Sequence, residues 1–153
     1  MRHGSAVRDR RRQEVTASPF DLSGRVALVT GASRGLGAAM ARALAAAGAD
    51  VALHASASEP TATANSIGSE VRTLPLVADL QNREQTDALV ETVVARLGGL
   101  DILVNNAGII RRTDAEQHSD EDWDAILEID LTSAFRLCRA AGRHMEWQAT
   151  TKK

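Results

Sequence analysis

One stretch of the sequence decides the fold: Thr30-Gly31-Ala32-Ser33-Arg34-Gly35-Leu36-Gly37. It follows the apolar run 26–29 and opens an alanine-rich segment, so its three glycines lie where a strand would turn into a helix. Glycine permits positive φ and a close approach of the backbone to a bound group, while the first N–H groups of a helix attract anions. This placement predicts the phosphate-binding turn of a dinucleotide site.

Outward from this turn, apolar runs alternate with helical patterns along the rest of the chain. We predict strands at 25–30, 50–54, 71–78 and 100–104, and helices at 35–47, 60–70, 83–97 and 119–144. This alternation predicts the α/β class, with a Rossmann-like doubly wound parallel sheet. Pro75 suits an edge position for the third strand. After the helix that follows strand 4 no fifth strand is predicted, so we expect a truncated version of this fold.

The last predicted helix begins at Ser119, whose hydroxyl can cap it. An apolar stripe along this helix is formed by Trp123, Leu127, Leu131, Ala134 and Cys138. Cys138 is the only cysteine, and its place in the stripe favours a small buried hydrophobic residue over a nucleophile.

Composition indicates one globular domain, because 44% of the 153 residues are apolar and 25% are charged. We assign residues 1–19 to a disordered basic tail, 20–144 to the domain and 145–153 to a polar tail. The arginines of the first tail could alternatively form a functional basic arm, but the net charge of −2 gives no general reason to expect nucleic acid binding. No apolar run suggests a membrane span. A single cysteine fits a reducing cytoplasm, and no metal-binding residues are assigned.

Three motifs together resemble the short-chain dehydrogenase/reductase family. They are the G-x-x-x-G-x-G spacing of the turn, Asp79-Leu80 directly after the third strand, and Asn105-Asn106-Ala107-Gly108 directly after the fourth. The resemblance covers residues 20–144 and implies the cofactor-binding Rossmann half of a nicotinamide-dependent oxidoreductase. Family members of this kind are homo-oligomers that act on a small alcohol or carbonyl compound.

The resemblance implies a role for each matching position. The pyrophosphate and adjacent ribose would be held by Gly31, Ser33, Arg34, Gly35, Leu36 and Gly37. Asp79 and Leu80 would flank the adenine, and Asn105, Ala107 and Gly108 would line the path toward the nicotinamide. Asp79 could instead cap the next helix, whereas paired amides at a strand end are hard to explain by packing alone.

Cofactor preference can be argued from the end of the second strand. NAD-specific sites place a carboxylate there for the ribose 2′-OH, but this chain has His54-Ala55-Ser56. Ser56 is therefore added to the cofactor-binding residues. Because Arg34 could pair with a 2′-phosphate, NADP is favoured over NAD.

Within the family, the segment from Asn105 to Asp124 resembles the branch of 2-dehydro-3-deoxygluconate and gluconate 5-dehydrogenases. A guanidinium of Arg111 or Arg112 could bind the carboxylate of a sugar acid. The alternative is that both are ordinary surface arginines of a loop.

Catalysis in the family requires a tyrosine, a lysine four residues later, a serine and an asparagine, and this chain contains no tyrosine. The asparagine position is occupied by Asp130, which could equally be a solvated helix charge. Two hypotheses follow: an oxidoreductase represented by its cofactor-binding half, or a truncated, non-catalytic dinucleotide-binding or interaction fragment. Either fragment is expected to associate non-natively.

Overall fold

The computed structural model describes residues 20–151, so the predicted basic tail lies outside the described residues, as do Lys152 and Lys153. Its strands are β1 (Val26–Val29), β2 (Asp50–Ala55), β3 (Thr73–Val77) and β4 (Ile102–Val104). Its helices are α1 (Gly35–Ala46), α2 (Thr61–Ile67), α3 (Arg83–Leu97), α4 (Asp120–Leu127) and α5 (Ser133–Thr151). A 3₁₀ turn at Ala115–Gln117 precedes α4, and a π-helical turn at Glu128–Thr132 joins α4 to α5.

The four strands form one parallel sheet in the order β3-β2-β1-β4. Val29 at the end of β1 is opposite Leu53 of β2 on one side and Val104 of β4 on the other. All four residues of β1 are buried, because this central strand is covered on both faces. The predicted sheet is confirmed, and Pro75 lies in the edge strand β3, where a missing N–H removes no ladder bond from a sheet centre.

Helices cover both faces of the sheet, as a doubly wound fold requires. On one face, α1 and α2 enclose a core that includes Val29, Val51 and Leu53, and α1 contributes the small side chains of Ala41 and Ala45. On the other face, α3 and α5 pack over a core that includes Leu28, Leu74, Leu89, Val93, Leu100, Leu137 and Ala141. Both layers bring helix N-termini and strand C-termini to the same end of the sheet.

The predicted apolar stripe of the last helix is not the face that packs. Trp123 and Leu131 are 57% and 64% exposed, and Cys138 is also exposed rather than buried. The buried residues of α5 are Ser133, Leu137, Ala141 and Gln148. The π-helical turn explains the difference, since its wider turn rotates α5 relative to α4 and removes the continuous 3.6-residue pattern.

The segment predicted as a polar tail is helical as far as Thr151. Gln148 is buried in its last turns, and its side-chain Nε2 donates to the backbone oxygen of Leu100 at 2.8 Å. Gly99 leaves room for this side chain, because a Cβ at that position would lie 2.4 Å from Gln148 Oε1. A polar composition therefore did not indicate a free segment here.

Candidate functional site

A cleft of about 540 Å³ opens at the carboxyl ends of the strands. It lies where the strand order reverses between β1 and β4, the position at which open parallel sheets bind ligands. Of the predicted cofactor-binding residues, all except Asn105 line this cleft. Four further residues, which are not among the predicted ones, also line the cleft: Gln81, Asn106, Ile109 and Ile129.

The glycine turn is packed so tightly that side chains would not fit at two of its positions. Gly31 has a φ of 65°, in the left-handed region that favours glycine. A Cβ on Gly37 would lie 2.2 Å from the carbonyl oxygen of Gly31 and 2.5 Å from Asn106 Nδ2. The turn therefore needs glycine for close packing of its own backbone against Asn106.

Helix α1 begins at this turn without a side-chain cap. Its N-cap residue is Arg34, which offers no acceptor to the first N–H groups of the helix. The N-terminus of α1 therefore faces the cleft with no side-chain cap and no acidic residue in its first turn. Within residues 20–151 the Arg34 guanidinium forms no ion pair or hydrogen bond, and it lines the cleft together with Ser33 and Ser56.

Thr30 and Asn106 lock the end of β4 onto the glycine turn. The Thr30 hydroxyl oxygen accepts from the backbone N–H groups of Asn106 and Ala107, both at 3.0 Å. Asn106 Nδ2 donates to the backbone oxygens of Thr30 at 2.9 Å and Gly31 at 3.2 Å. Asn105, which the sequence suggested as the functional amide, is exposed outside the cleft lining, with its Nδ2 3.2 Å from Cys138 Sγ. Of the paired amides, Asn106 is thus the one that holds the turn.

Asp79 does not cap the following helix. Asn82 is the N-cap of α3, because its Oδ1 accepts from the backbone N–H of Gln85. Asp79 instead accepts from the backbone N–H of Gln81 at 3.0 Å, while its own N–H donates to Gln85 Oε1. Its exposed carboxylate and the buried Leu80 both line the cleft, so the capping alternative does not account for Asp79.

His54 is a buried residue near the end of β2 that contacts both neighbouring strand ends. Its Nδ1 lies 3.4 Å from the backbone nitrogen of Gly31, and its Nε2 lies 3.0 Å from the backbone oxygen of Ala78. Burial lowers the pKa of His54, and the hydrogen bond to Ala78 only partly opposes this effect. In the sequence His54 indicates only that a carboxylate is absent at the end of β2, because the partners of its ring depend on the strand register.

The residues considered for substrate and catalysis are spread along the other side of the cleft. Arg111 lines the cleft and donates through Nε to Asp122 Oδ1 at 3.2 Å, whereas Arg112 lies outside it. Asp130 is in the π-helical turn, and its Oδ1 accepts from the backbone N–H of Ile109 at 2.9 Å. Its exposed carboxylate therefore holds the loop that continues from Gly108.

Residues 20–151 contain neither a candidate metal site nor a candidate membrane-spanning helix. No group of three or more His, Cys, Asp or Glu residues in this part of the chain could hold a metal ion. None of its helices is long and apolar enough to cross a membrane.

Sequence comparison matches residues 25–152 to the family described as short chain dehydrogenase. The 2-dehydro-3-deoxy-D-gluconate 5-dehydrogenase of Escherichia coli (strain K12) is 44% identical over 128 residues, which cover 83% of this chain and 50% of that protein. Nodulation protein G of Rhizobium sp. (strain N33) is 50% identical over 121 residues, covering 78% of this chain and 49% of that protein. The chain thus spans about half the length of the curated relatives it matches.

Solved structures give the same result for the fold. A short chain dehydrogenase from Burkholderia cenocepacia J2315, crystallised in complex with NADP, superposes with a TM-score of 0.77 at 38% identity. The match covers 82% of this chain and 52% of that one. The resemblance inferred from the three motifs is confirmed, and since the sequence match extends from the start of β1 to the end of α5, this chain belongs to the short-chain dehydrogenase/reductase family.

Proposed function

We propose that this chain binds a nicotinamide dinucleotide, with NADP favoured over NAD, as the cofactor-binding half of a cytoplasmic oxidoreductase. The observation that carries the proposal is the uncapped N-terminus of α1 beside the glycine turn, at the mouth of a cleft where β1 and β4 diverge. Backbone N–H groups and a positive dipole end form a binding site for a pyrophosphate. The donor set in the cleft therefore fits the central part of a dinucleotide.

The other groups of the cleft fit the two ends of such a ligand. Leu80 offers an apolar surface for a base, and Asp79 offers a carboxylate next to it. Ala107 and Gly108 leave space on the opposite side, where the nicotinamide would lie. When bound, the nicotinamide supplies or accepts a hydride, while the protein groups named here orient the ring and the ribose.

The preference for NADP is supported by the charge around the end of β2. Arg34 carries a guanidinium without a protein partner in the described residues, and the hydroxyl of Ser56 lines the same cleft. A 2′-phosphate would receive a charge-assisted hydrogen bond from Arg34. Two related structures are complexes with this cofactor: the Burkholderia enzyme with NADP, and a blue fluorescent protein from a metagenomic library with NADPH.

The test is calorimetric titration of the chain with NADP and NAD, repeated on the variant Arg34→Glu. Loss of the charged contact and added repulsion should change NADP binding by about 1.5–3 kcal/mol, which is tenfold or more. The order of the two cofactors should then reverse. Arg42→Glu is the matched control, because it makes the same charge change on an exposed position of α1 outside the cleft lining. Tighter binding of NAD than of NADP by the unchanged chain would contradict the preference.

For the whole protein we propose a hydroxy or carbonyl substrate of the sugar-acid class. The matches include enzymes named 2-dehydro-3-deoxy-D-gluconate 5-dehydrogenase and gluconate 5-dehydrogenase, each matched over about half its length. Arg111 is the better candidate for a carboxylate contact, because it borders the cleft and Arg112 does not. Asp130, at the family asparagine position, would act by holding the Gly108–Ile109 loop beside the nicotinamide.

The second candidate is a dinucleotide-binding fragment without catalytic activity, favoured by the absence of tyrosine from the sequence. In the family, proton transfer needs a tyrosine side chain. General acid–base catalysis of this kind typically contributes about 10²–10⁴-fold in rate. Residues 1–153 alone should therefore show cofactor binding without turnover. Sustained NADPH consumption with sugar-acid substrates, in a preparation free of host enzymes, would reject this candidate.

A further inference from the structure

His54 is a polar side chain in one of the least accessible places of the fold. It is 1% exposed and belongs to β2, which lies between β1 and β3 in the sheet. A buried imidazole is costly unless both ring nitrogens have partners. Both do: one partner, Gly31, lines the cleft, and the other, Ala78, directly precedes Asp79, which also lines it.

The hydrogen bonds of His54 define the state of its ring. The backbone oxygen of Ala78 can only accept, so Nε2 must carry the ring proton. The backbone N–H of Gly31 can only donate, so Nδ1 must be the unprotonated nitrogen. Only the neutral imidazole with its proton on Nε2 forms both hydrogen bonds. A protonated ring would place its Nδ1–H opposite the backbone N–H of Gly31, and neither group could accept.

Backbone hydrogen bonds reinforce the same link. The backbone oxygen of His54 accepts from Ala32 at 2.7 Å, and that of Ala55 accepts from Ala78 at 3.1 Å. His54 therefore connects Gly31, the first glycine of the turn, with Ala78, which directly precedes Asp79 and Leu80. In the function proposed above, the glycine turn faces the pyrophosphate, and Asp79 and Leu80 flank the adenine.

We propose that His54 is a positioning residue that fixes the distance between the phosphate-binding turn and the adenine-flanking loop. This inference rests on the proposed function of the cleft. Its consequence is specific: removing the ring contacts should weaken ligands that span both parts of the site more than ligands that contact only one. A purely structural role would instead lower all affinities by the same factor, namely the fraction of folded chain.

The test compares NADP with adenosine, which lacks both the pyrophosphate and the 2′-phosphate, on the chain and four variants at equal protein concentration. His54→Leu fills a similar volume without either hydrogen bond, and should weaken NADP binding by about tenfold while changing adenosine binding about twofold or less. His54→Asn places an amide oxygen near the Nδ1 position and should recover part of the NADP affinity. His54→Gln can reach Ala78 but not Gly31, and should recover less.

Val93→Ala is the matched control, because it removes buried volume from α3 away from the cleft and should lower both affinities equally. Equal losses of NADP and adenosine affinity in His54→Leu, with normal binding by the unchanged chain, would overturn the inference alone. An unchanged chain that binds neither ligand would overturn the proposed function and the inference with it.

Discussion

At the scale of single residues, the shape of the cleft depends on the tight packing of the glycine turn against Asn106. The glycine turn, Thr30 and Asn106 are joined by hydrogen bonds between segments 75 to 77 residues apart in the chain. Such contacts make the turn rigid before any ligand arrives, which lowers the entropic cost of binding. Substitutions that need even one extra carbon atom here should therefore affect binding directly.

Gly37→Ala should abolish tight dinucleotide binding. Its methyl group would lie 2.2 Å from the Gly31 oxygen, so the turn must move, at a cost of about 1–3 kcal/mol in stability. Gly142→Ala is the control, because no atom beyond its chain neighbours and the nearby backbone of its own helix lies within 4 Å of the added Cβ, and the residue is in α5. That change should stabilise the chain by about 0.5–1 kcal/mol. Thermal unfolding and NADP titration measure both effects, and unchanged binding by Gly37→Ala would disprove the packing argument.

The protonation of His54 should make the free energy of unfolding depend on pH. Burial lowers its pKa in the folded state below the ordinary value of 6.5, so below that pH the unfolded chain binds more protons. The contribution of His54 to stability is therefore complete above pH 6.5 and decreases as the pH falls through the lowered pKa. Urea unfolding between pH 7.5 and about 5 measures this decrease. His54→Asn should show a weaker dependence, and identical pH profiles for the two chains would contradict the assignment.

At the scale of elements, α5 differs most from the sequence prediction. Gln148 docks the polar last turns of α5 on the backbone of Leu100. Leu131, just before the helix, and Phe135, within it, are apolar but exposed. Hydrophobicity alone would have placed these residues the other way round. The helix is positioned by the buried Leu137 and Ala141, which pack in the core under α3, and by the buried amide of Gln148.

Gln148→Ala should lower the free energy of unfolding by about 1–3 kcal/mol, because the buried oxygen of Leu100 would lose the donor 2.8 Å away. Glu146→Ala, an exposed change in the same helical turn, should stay within about 0.5 kcal/mol of the unchanged chain. Chemical denaturation measures both. Equal stability of the two variants would mean that the end of α5 is not docked on the sheet in solution.

At the scale of the whole molecule, the described residues leave apolar surface and a strand edge without partners. Within residues 20–151, β4 pairs only with β1, so the N–H and C=O groups of its other edge form no ladder. Leu131 and Phe135 are 64% and 60% exposed, and Trp123 is 57% exposed. Exposed apolar side chains and an open strand edge both favour association.

We therefore expect residues 1–153 to be poorly soluble or to form a non-native oligomer in light scattering after size exclusion. Ile102→Lys in β4 should not correct this, whereas the second half of a full-length relative supplied in trans should. Leu131→Lys with Phe135→Lys should reduce association by placing charge on the exposed apolar surface. Ala39→Lys with Ala43→Lys adds the same charge to exposed positions of α1 and should have a smaller effect. A monodisperse, cooperatively unfolding monomer of the unchanged chain would show that the four-strand sheet needs no partner.

The sequence by itself determined the strand and helix order, the parallel sheet and the position of the glycine turn. These follow from signals within a few residues, namely the apolar runs, the periodicity of side chains and the glycines between β1 and α1. It also placed Asp79 and Ala107 at the carboxyl ends of two strands, which a parallel sheet must bring to the same end of the sheet.

Only the tertiary structure decided which side chains act at that end of the sheet. Asn106 rather than Asn105 holds the turn, because the register of β4 against β1 directs the second amide toward Thr30 and Gly31. The partners of His54 depend on two neighbouring strands at once. The face of α5 depends on the π-helical turn before it. Each of these arrangements joins residues distant in the sequence, and local periodicity contains no information about their register.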